Sequence, residues 1–310
     1  MTMENITIKS NDSGQRLDKF LTKTYIKLPK SLMYKLIRKK RIKLNGKRCY
    51  GETMLVTGDV LNLYVEDELL YRKSDYSFNQ ADDIEIVYED ENIIVAEKPV
   101  GLLSHGSQNE QFDHLANRVK KYLFQKGEYN PDLENAFAPA ICSRLDRNTG
   151  GIVLAAKNAA ALREANKLMR ERRIHKFYRA EVVGKLSQKQ GVLTDRFEKD
   201  SRQNKMIYSD DVDAKETVTA YEVAEERQHT SLLDVELITG RTHQIRAQLA
   251  HVGNPLVGDK KYGGKQMGEG KYQALYAYKI TFDSAENDIL NYLHEKEIIS
   301  KNTPNTLQIK

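Results

Sequence analysis

A chain of 310 residues, 30% charged and 40% hydrophobic, is long enough for two domains and one sizeable core. No apolar run approaches the roughly 18 residues that a membrane span requires, and the amino terminus lacks the basic start and apolar stretch of a secretory signal, so a cytoplasmic protein with no membrane partner is expected. The net charge of +5 is unevenly spread: residues 14–48 hold thirteen Lys or Arg against the single acid Asp18, the electrostatic footprint of phosphate binding.

In chain order, Leu17, Phe20 and Leu21 suggest one helix, and Leu32, Met33, Leu36 and Ile37 repeat at helical spacing on a second, begun by Pro29 and Ser31. On the second helix Lys35, Arg38 and Lys39 fall away from the apolar stripe, and Lys40, Arg41 and Lys43 continue the basic face. Asn45-Gly46 is a hairpin signal, and Gly58-Asp59 marks a turn before an apolar segment at 60–65. The polar, acidic stretch that follows reads as a linker. Short β-rich runs then appear at 84–88, 93–97, 151–156, 177–183, 216–223 and 231–238, with helical patterns near 115–124, 159–171 and 242–252. Strands dominate without regular strand-helix alternation, which predicts an α+β domain on a mixed, largely antiparallel sheet with flanking helices. The resulting division is a small α/β-hairpin module over 1–66, a linker over 67–83, a larger domain over 84–283, and a closing helix and tail over 284–310.

The most informative stretch is Ser143-Arg144-Leu145-Asp146-Arg147-Asn148-Thr149-Gly150-Gly151. It sets one acid among basic residues, just before a Gly turn and a buried strand, so that Asp146 is held at the edge of the core. An Asp in that setting either caps backbone N–H groups or presents a working carboxylate. Asp18, in Arg16-Leu17-Asp18, repeats the letters but sits in a helical pattern without a Gly turn, and reads as a first-turn helix charge. Cys49 and Cys142 stand far apart, and His105 and His243 have no second ligand at metal spacing, so neither a disulfide nor a metal is expected.

Four segments together resemble the RluA family of RNA pseudouridine synthases: Glu97-Lys98-Pro99-Val100-Gly101-Leu102, the Asp146 stretch, His175-Lys176-Phe177-Tyr178-Arg179-Ala180, and Gly240-Arg241-Thr242-His243-Gln244-Ile245-Arg246. Residues 16–21 and 38–46 resemble the alpha-L RNA-binding domain, a module first recognised in a ribosomal small-subunit protein, and this leading module points to the RluC and RluD type. Gly150 departs from the family, which usually has Ser there, and Gln248 and Asn254 stand where relatives often carry His.

The resemblance implies a cofactor-free isomerisation of uridine, with Asp146 attacking carbon 6 of the base or carbon 1 of the ribose, or assisting a glycal. Arg246 is the implied cationic partner of Asp146. Tyr178 is placed against the base, its hydroxyl reaching the proton that leaves carbon 5. Arg144 is placed on the flipped nucleotide, and Gly258-Asp259 on the far wall of the pocket. The implied partner is RNA, ribosomal RNA of the large subunit first, bound by a monomer. Transfer RNA as the target, and a non-catalytic RNA-binding or ribosome-assembly protein, are the alternatives.

Overall fold

The computed structural model describes residues 2–72, 75–267 and 270–308, so residues 1, 73, 74, 268, 269, 309 and 310 of the expected divisions lie outside the described residues. The first module contains β1 (Thr2–Thr7), α1 (Leu17–Thr24), α2 (Lys30–Arg38), β2 (Ile42–Leu44), β3 (Lys47–Arg48) and β4 (Val60–Val65), its sheet running β1-β4-β2-β3. Asn45 (φ 53°) and Gly46 (φ 72°) turn the β2–β3 hairpin with two left-handed residues, the backbone that an Asn-Gly pair adopts most readily. Phe20, Leu21, Met33, Ile37, Leu61 and Leu63 close a core of the module's own. Asp18 begins α1 and accepts from Arg16 Nη2 (2.6 Å) and Tyr34 Oη (2.8 Å), a local ion pair that leaves it a structural charge.

The expected linker is more than a spacer. Phe78, in a 3-10 turn over Ser77–Gln80, is fully buried in the main core, with its ring 5.5 Å from that of Phe124. The main domain follows with β5 (Glu85–Glu89), β6 (Ile93–Lys98), α3 (Leu115–Gln125), β7 (Ala140–Ile141), β8 (Gly150–Ala156), α4 (Ala159–Arg170) and β9 (Ile174–Val183). Then come β10 (Gln190–Asp200), β11 (Lys205–Tyr208), β12 (Lys215–Glu226), β13 (Thr230–Leu237), α5 (Gln244–His251), β14 (Leu275–Phe282) and β15 (Glu297–Ile299). They build one sheet in the order β11-β10-β12-β13-β9-β14-β8-β6-β5, with β15 on β14 and β7 on β8. The pairs are antiparallel except β14 with β8, which makes the domain α+β on a mixed, largely antiparallel sheet.

β6 and β8 are buried along their whole length because helices cover both faces: Ile94, Ala96, Val153 and Ala155 meet the α3 side, whereas Val95 and Leu154 meet the α4 side. The parallel seam of β8 and β14 brings backbones close, and a Cβ on Gly151 (φ 118°) would lie 2.1 Å from the Ala277 carbonyl oxygen. The neighbouring Gly150 has its own reason: a Cβ there would meet the Tyr276 ring at 2.8 Å. Tyr276 Oη donates to the buried Glu97 Oε1 (2.6 Å), which fixes that ring against Gly150.

Two expectations are corrected. Among the described residues 284–308 no α-helix forms; 3-10 turns at Asn291–Leu293 and Asn305–Leu307 flank β15 instead. The apolar spacing that suggested a helix instead sends Leu290 and Leu293 into the core, while Lys167 and Arg173 hold Asp288 at 2.8 and 2.9 Å. Strands β10, β11 and β14 were not anticipated. β10 lies toward the sheet's outer end with mostly half-buried or exposed residues, so its hydrophobic alternation is faint. The two units meet at residues 9–14: Asn11 Oδ1 accepts from Ala159 N (3.1 Å), and Arg163 Nη1 donates to Ser13 O (3.1 Å). No helix among the described residues is long and apolar enough to cross a membrane.

Candidate active site

Asp146 lies in the loop that enters β8, and that loop is pinned on both sides. Ser104 Oγ donates to Leu145 O (2.7 Å) and accepts from Leu145 N (3.0 Å). Beyond the acid, Gly101 N donates to Arg147 O (2.9 Å), and Thr149 N closes the turn onto Asp146 O (3.0 Å). Lys98, fully buried at the end of β6, donates from Nζ to the carbonyls of Pro99 (3.0 Å), Leu102 (2.7 Å) and Arg147 (3.0 Å). Burial pushes its pKa down to about 7, against the pull of Asp146. Three carbonyl acceptors match the three N–H donors of an ammonium, so the strand end and the Asp146 loop are tied through one side chain. Lys98→Met leaves three carbonyls without that donor and is expected to cost about 1–3 kcal/mol, read as a lower urea midpoint.

Arg246 comes from the first turn of α5 and is 7% exposed. Its guanidinium makes a fork to Asp259 (Nε to Oδ2, 2.7 Å; Nη2 to Oδ1, 2.9 Å) and spends its remaining arm on Asp146 Oδ2 at 2.8 Å. Burial lowers the arginine pKa, but the bonds to Asp259 and then Asp146 more than offset this, so the group stays charged. Asp259 therefore does more than shape a wall: with 1% of its side chain exposed, it aims the guanidinium at the Asp146 carboxylate. Asp146 Oδ1 accepts no hydrogen bond among the described residues.

Tyr178, on β9, is 5% exposed and lines the same space as Asp146. Its hydroxyl makes no hydrogen bond among the described residues, and burial, reinforced by the Asp146 charge, raises its pKa. The phenol therefore rests protonated. A protonated phenol offers a ring face for contact and can accept a proton only after losing its own.

The cleft above these groups has a volume of about 1150 Å³ and is lined by Arg144, Arg147, Arg170, Arg172, Lys176 and Arg241. Asp146 is the only acid among its described lining residues. Arg144 is exposed there without a hydrogen-bond partner among the described residues, the placement expected of a nucleotide contact. Sequence reasoning places Lys176 only within a second basic block, residues 163–179, read as a footprint for phosphate. Two positions before Tyr178 on the same strand it shares that residue's side of the sheet, and burial lowers its pKa. Arg172 belongs to the same block, but its meeting with Arg241 was missed, because only tertiary contact brings the α4 exit and the loop before α5 to one cleft.

Lys35, Arg38, Lys39, Lys40 and Arg41 are exposed around the end of α2, and Lys43 is half-buried on β2 with its ammonium 5.5 Å from the Tyr64 ring centre. They belong to the first module and do not line the Asp146 cleft. Gln248 and Asn254 keep polar contacts without histidine: Gln248 Oε1 accepts from Thr219 Oγ1 (2.7 Å), and Asn254 Nδ2 donates to Val183 O (3.0 Å). Among the described residues, no group of three His, Cys, Asp or Glu is arranged to hold a metal.

Comparison with known proteins identifies the family. Residues 92–251 match the RNA pseudouridylate synthase family and residues 15–61 the S4 domain. An uncharacterised RNA pseudouridine synthase of Mycoplasma capricolum is 33% identical over 304 residues, covering 96% of this chain and 97% of that protein. The ribosomal large subunit pseudouridine synthase C of Buchnera aphidicola is 30% identical over 301 residues, covering 94% and 90%. The solved human RNA pseudouridylate synthase domain containing 4 superposes with a TM-score of 0.55 at 22% identity, over 72% of this chain and 89% of that one, a likeness of fold. With that family matched over residues 92–251 of the 310, and a relative a third identical along nearly the whole length, this chain belongs to the RNA pseudouridine synthases, isomerases of uridine in RNA.

Proposed function

We propose that the chain converts uridine to pseudouridine in large-subunit ribosomal RNA, with Asp146 as nucleophile, Arg246 as its charge partner, Tyr178 against the base and Arg144 on the flipped nucleotide. The observation that carries the chemistry is a lone carboxylate, fixed by a buried Arg246–Asp259 fork, at the wall of an otherwise cationic cleft. The reaction breaks the bond between ribose carbon 1 and uracil nitrogen 1, turns the base, and joins carbon 1 to carbon 5. The proton lost from carbon 5 is balanced by one gained at nitrogen 1, so no redox partner is consumed. A carboxylate fixed beside an arginine can attack as a nucleophile. The cationic lining compensates the phosphates of a nucleotide drawn out of its stack, at a cost of roughly a few kcal/mol.

The ribosomal target is supported by the names of the Buchnera aphidicola and Vibrio parahaemolyticus relatives, the latter 29% identical over 294 residues. Tritium release from RNA labelled at uracil carbon 5 tests it directly. Release from large-subunit RNA and none from transfer RNA is the expected result; release from transfer RNA alone would overturn the target while keeping the reaction. The proposal includes a cytoplasmic monomer, checked by sedimentation of the protein bound to one RNA.

The basic face of the first module is assigned the docking role, since exposed cations in a compact block engage phosphates whatever the sequence. Changing Lys35, Arg38 and Lys39 together to Ala should weaken RNA binding and flatten its salt dependence by about 0.7 in log–log slope for each phosphate that is no longer neutralised. Turnover at saturating RNA should persist. An unchanged slope would assign the face elsewhere.

A further inference from the structure

His243 is built in a way that packing alone does not explain. It precedes α5 with a left-handed backbone (φ 51°, ψ 22°), a conformation uncommon outside glycine and worth a search for function. Its Nε2 stands 3.7 Å from Asp146 Oδ2, and its Nδ1 stands 3.1 Å from Tyr262 Oη. The Tyr262 hydroxyl already accepts from Met206 N at 2.9 Å, and that backbone group can only donate. The hydroxyl proton is therefore free to go elsewhere, and the acceptor within reach among the described residues is His243 Nδ1. Burial raises the Tyr262 pKa, so the proton is present to be donated. With Nδ1 occupied as an acceptor, the proton of a neutral imidazole must sit on Nε2, the nitrogen that faces the carboxylate. Burial, only partly opposed by Asp146, keeps the ring neutral.

The geometry points to His243 as a positioning residue for this reaction: a relay from Met206 N–H through Tyr262 Oη fixes it as the Nε2–H tautomer, which together with Arg246 engages Asp146 Oδ2 and leaves Oδ1 as the attacking oxygen. This rests on the pseudouridine synthase reading with Asp146 as nucleophile. At 3.7 Å the contact is longer than a hydrogen bond, and the relay requires it to shorten once a nucleotide is bound, as catalytic hydrogen bonds commonly do. No bond-making step is added. The relay acts by holding one oxygen of the carboxylate and so selecting the other.

The test combines nitrogen NMR of histidine-labelled protein with turnover. In the wild type, His243 Nδ1 should resonate as an unprotonated nitrogen and Nε2 as a protonated one. Tyr262→Phe keeps the ring that lies 5.2 Å from the Arg246 guanidinium but removes the relay, and should release that tautomer preference. His243→Leu should lower the rate of the chemical step on the order of 100-fold with RNA affinity unchanged, and His243→Gln, which restores a terminal N–H donor, should recover most of that rate. A protonated Nδ1 in the wild type, or a His243→Leu variant with the wild-type rate, overturns the inference. Should His243→Leu not fold, Tyr262→Phe decides: an unaltered nitrogen spectrum and rate overturn the inference equally. Absence of turnover in the wild type overturns the assigned reaction instead, and the nitrogen spectrum then still decides the tautomer.

Discussion

Asp146→Ala should abolish pseudouridine formation while leaving the protein folded and its RNA affinity intact or slightly improved. The acid is the one negative charge among the described residues that line a cleft bearing Arg144, Arg170, Arg172, Lys176 and Arg241, so removing it strengthens the pull on phosphate. Folding tolerates the change because Arg246 keeps both bonds of its fork to Asp259, and the loop remains pinned through the backbones of Leu145 and Arg147. Asp146→Asn makes the sharper comparison: it has the same shape and no nucleophilic charge, and should be equally inactive. Tritium release gives the turnover and filter binding the affinity. Either variant working within about tenfold of the wild type would remove Asp146 from the chemistry, since loss of a nucleophile costs far more than that.

Arg246→Met should be the most damaging single change to the fold as well as to the reaction. It strands two carboxylates, Asp146 and Asp259, the second with 1% of its side chain exposed, and breaking a buried pair from one side costs about 3–5 kcal/mol. Arg246→Lys separates the two consequences. An ammonium keeps the charge and recovers part of the stability, but it has no planar fork with which to hold Asp259 and Asp146 at once. Urea unfolding of the three proteins should therefore rank wild type, Lys and Met in order of falling midpoint, with both variants nearly inactive. A Lys variant with wild-type turnover would show that the site needs a positive charge and not the fork.

Much of the chemistry was readable in the chain because short motifs report local geometry. The Asp146 stretch announces a turn entering a buried strand, and β8 begins at Gly150. Asn45-Gly46 announces a hairpin, and both residues take left-handed backbone. These are signals carried by a few neighbours, where backbone freedom decides. The roles of Lys98, Ser104, Asp259 and His243 were not readable in the same way, because each depends on a partner distant in sequence, such as Arg147 O, Leu145 or Tyr262 Oη. A Lys before a Pro carries no mark of the three carbonyls it will meet.

The sequence by itself determined the mixed α+β character of the larger domain through hydrophobic period and turn residues, whereas the class of protein and the candidate carboxylate came from the resemblance of its motifs to a known family. It misjudged the last segment, where Leu290 and Leu293 have helical spacing but are drawn into the core by the sheet beside them. Only the tertiary structure decided which cations share a cleft, which oxygen of Asp146 is held, and why Gly150 stands beside the Tyr276 ring. The reason is physical: whether a buried charge or ring is satisfied depends on donors, acceptors and volume supplied by distant strands, and these exist only once the sheet has brought β6, β8, β9 and β14 side by side.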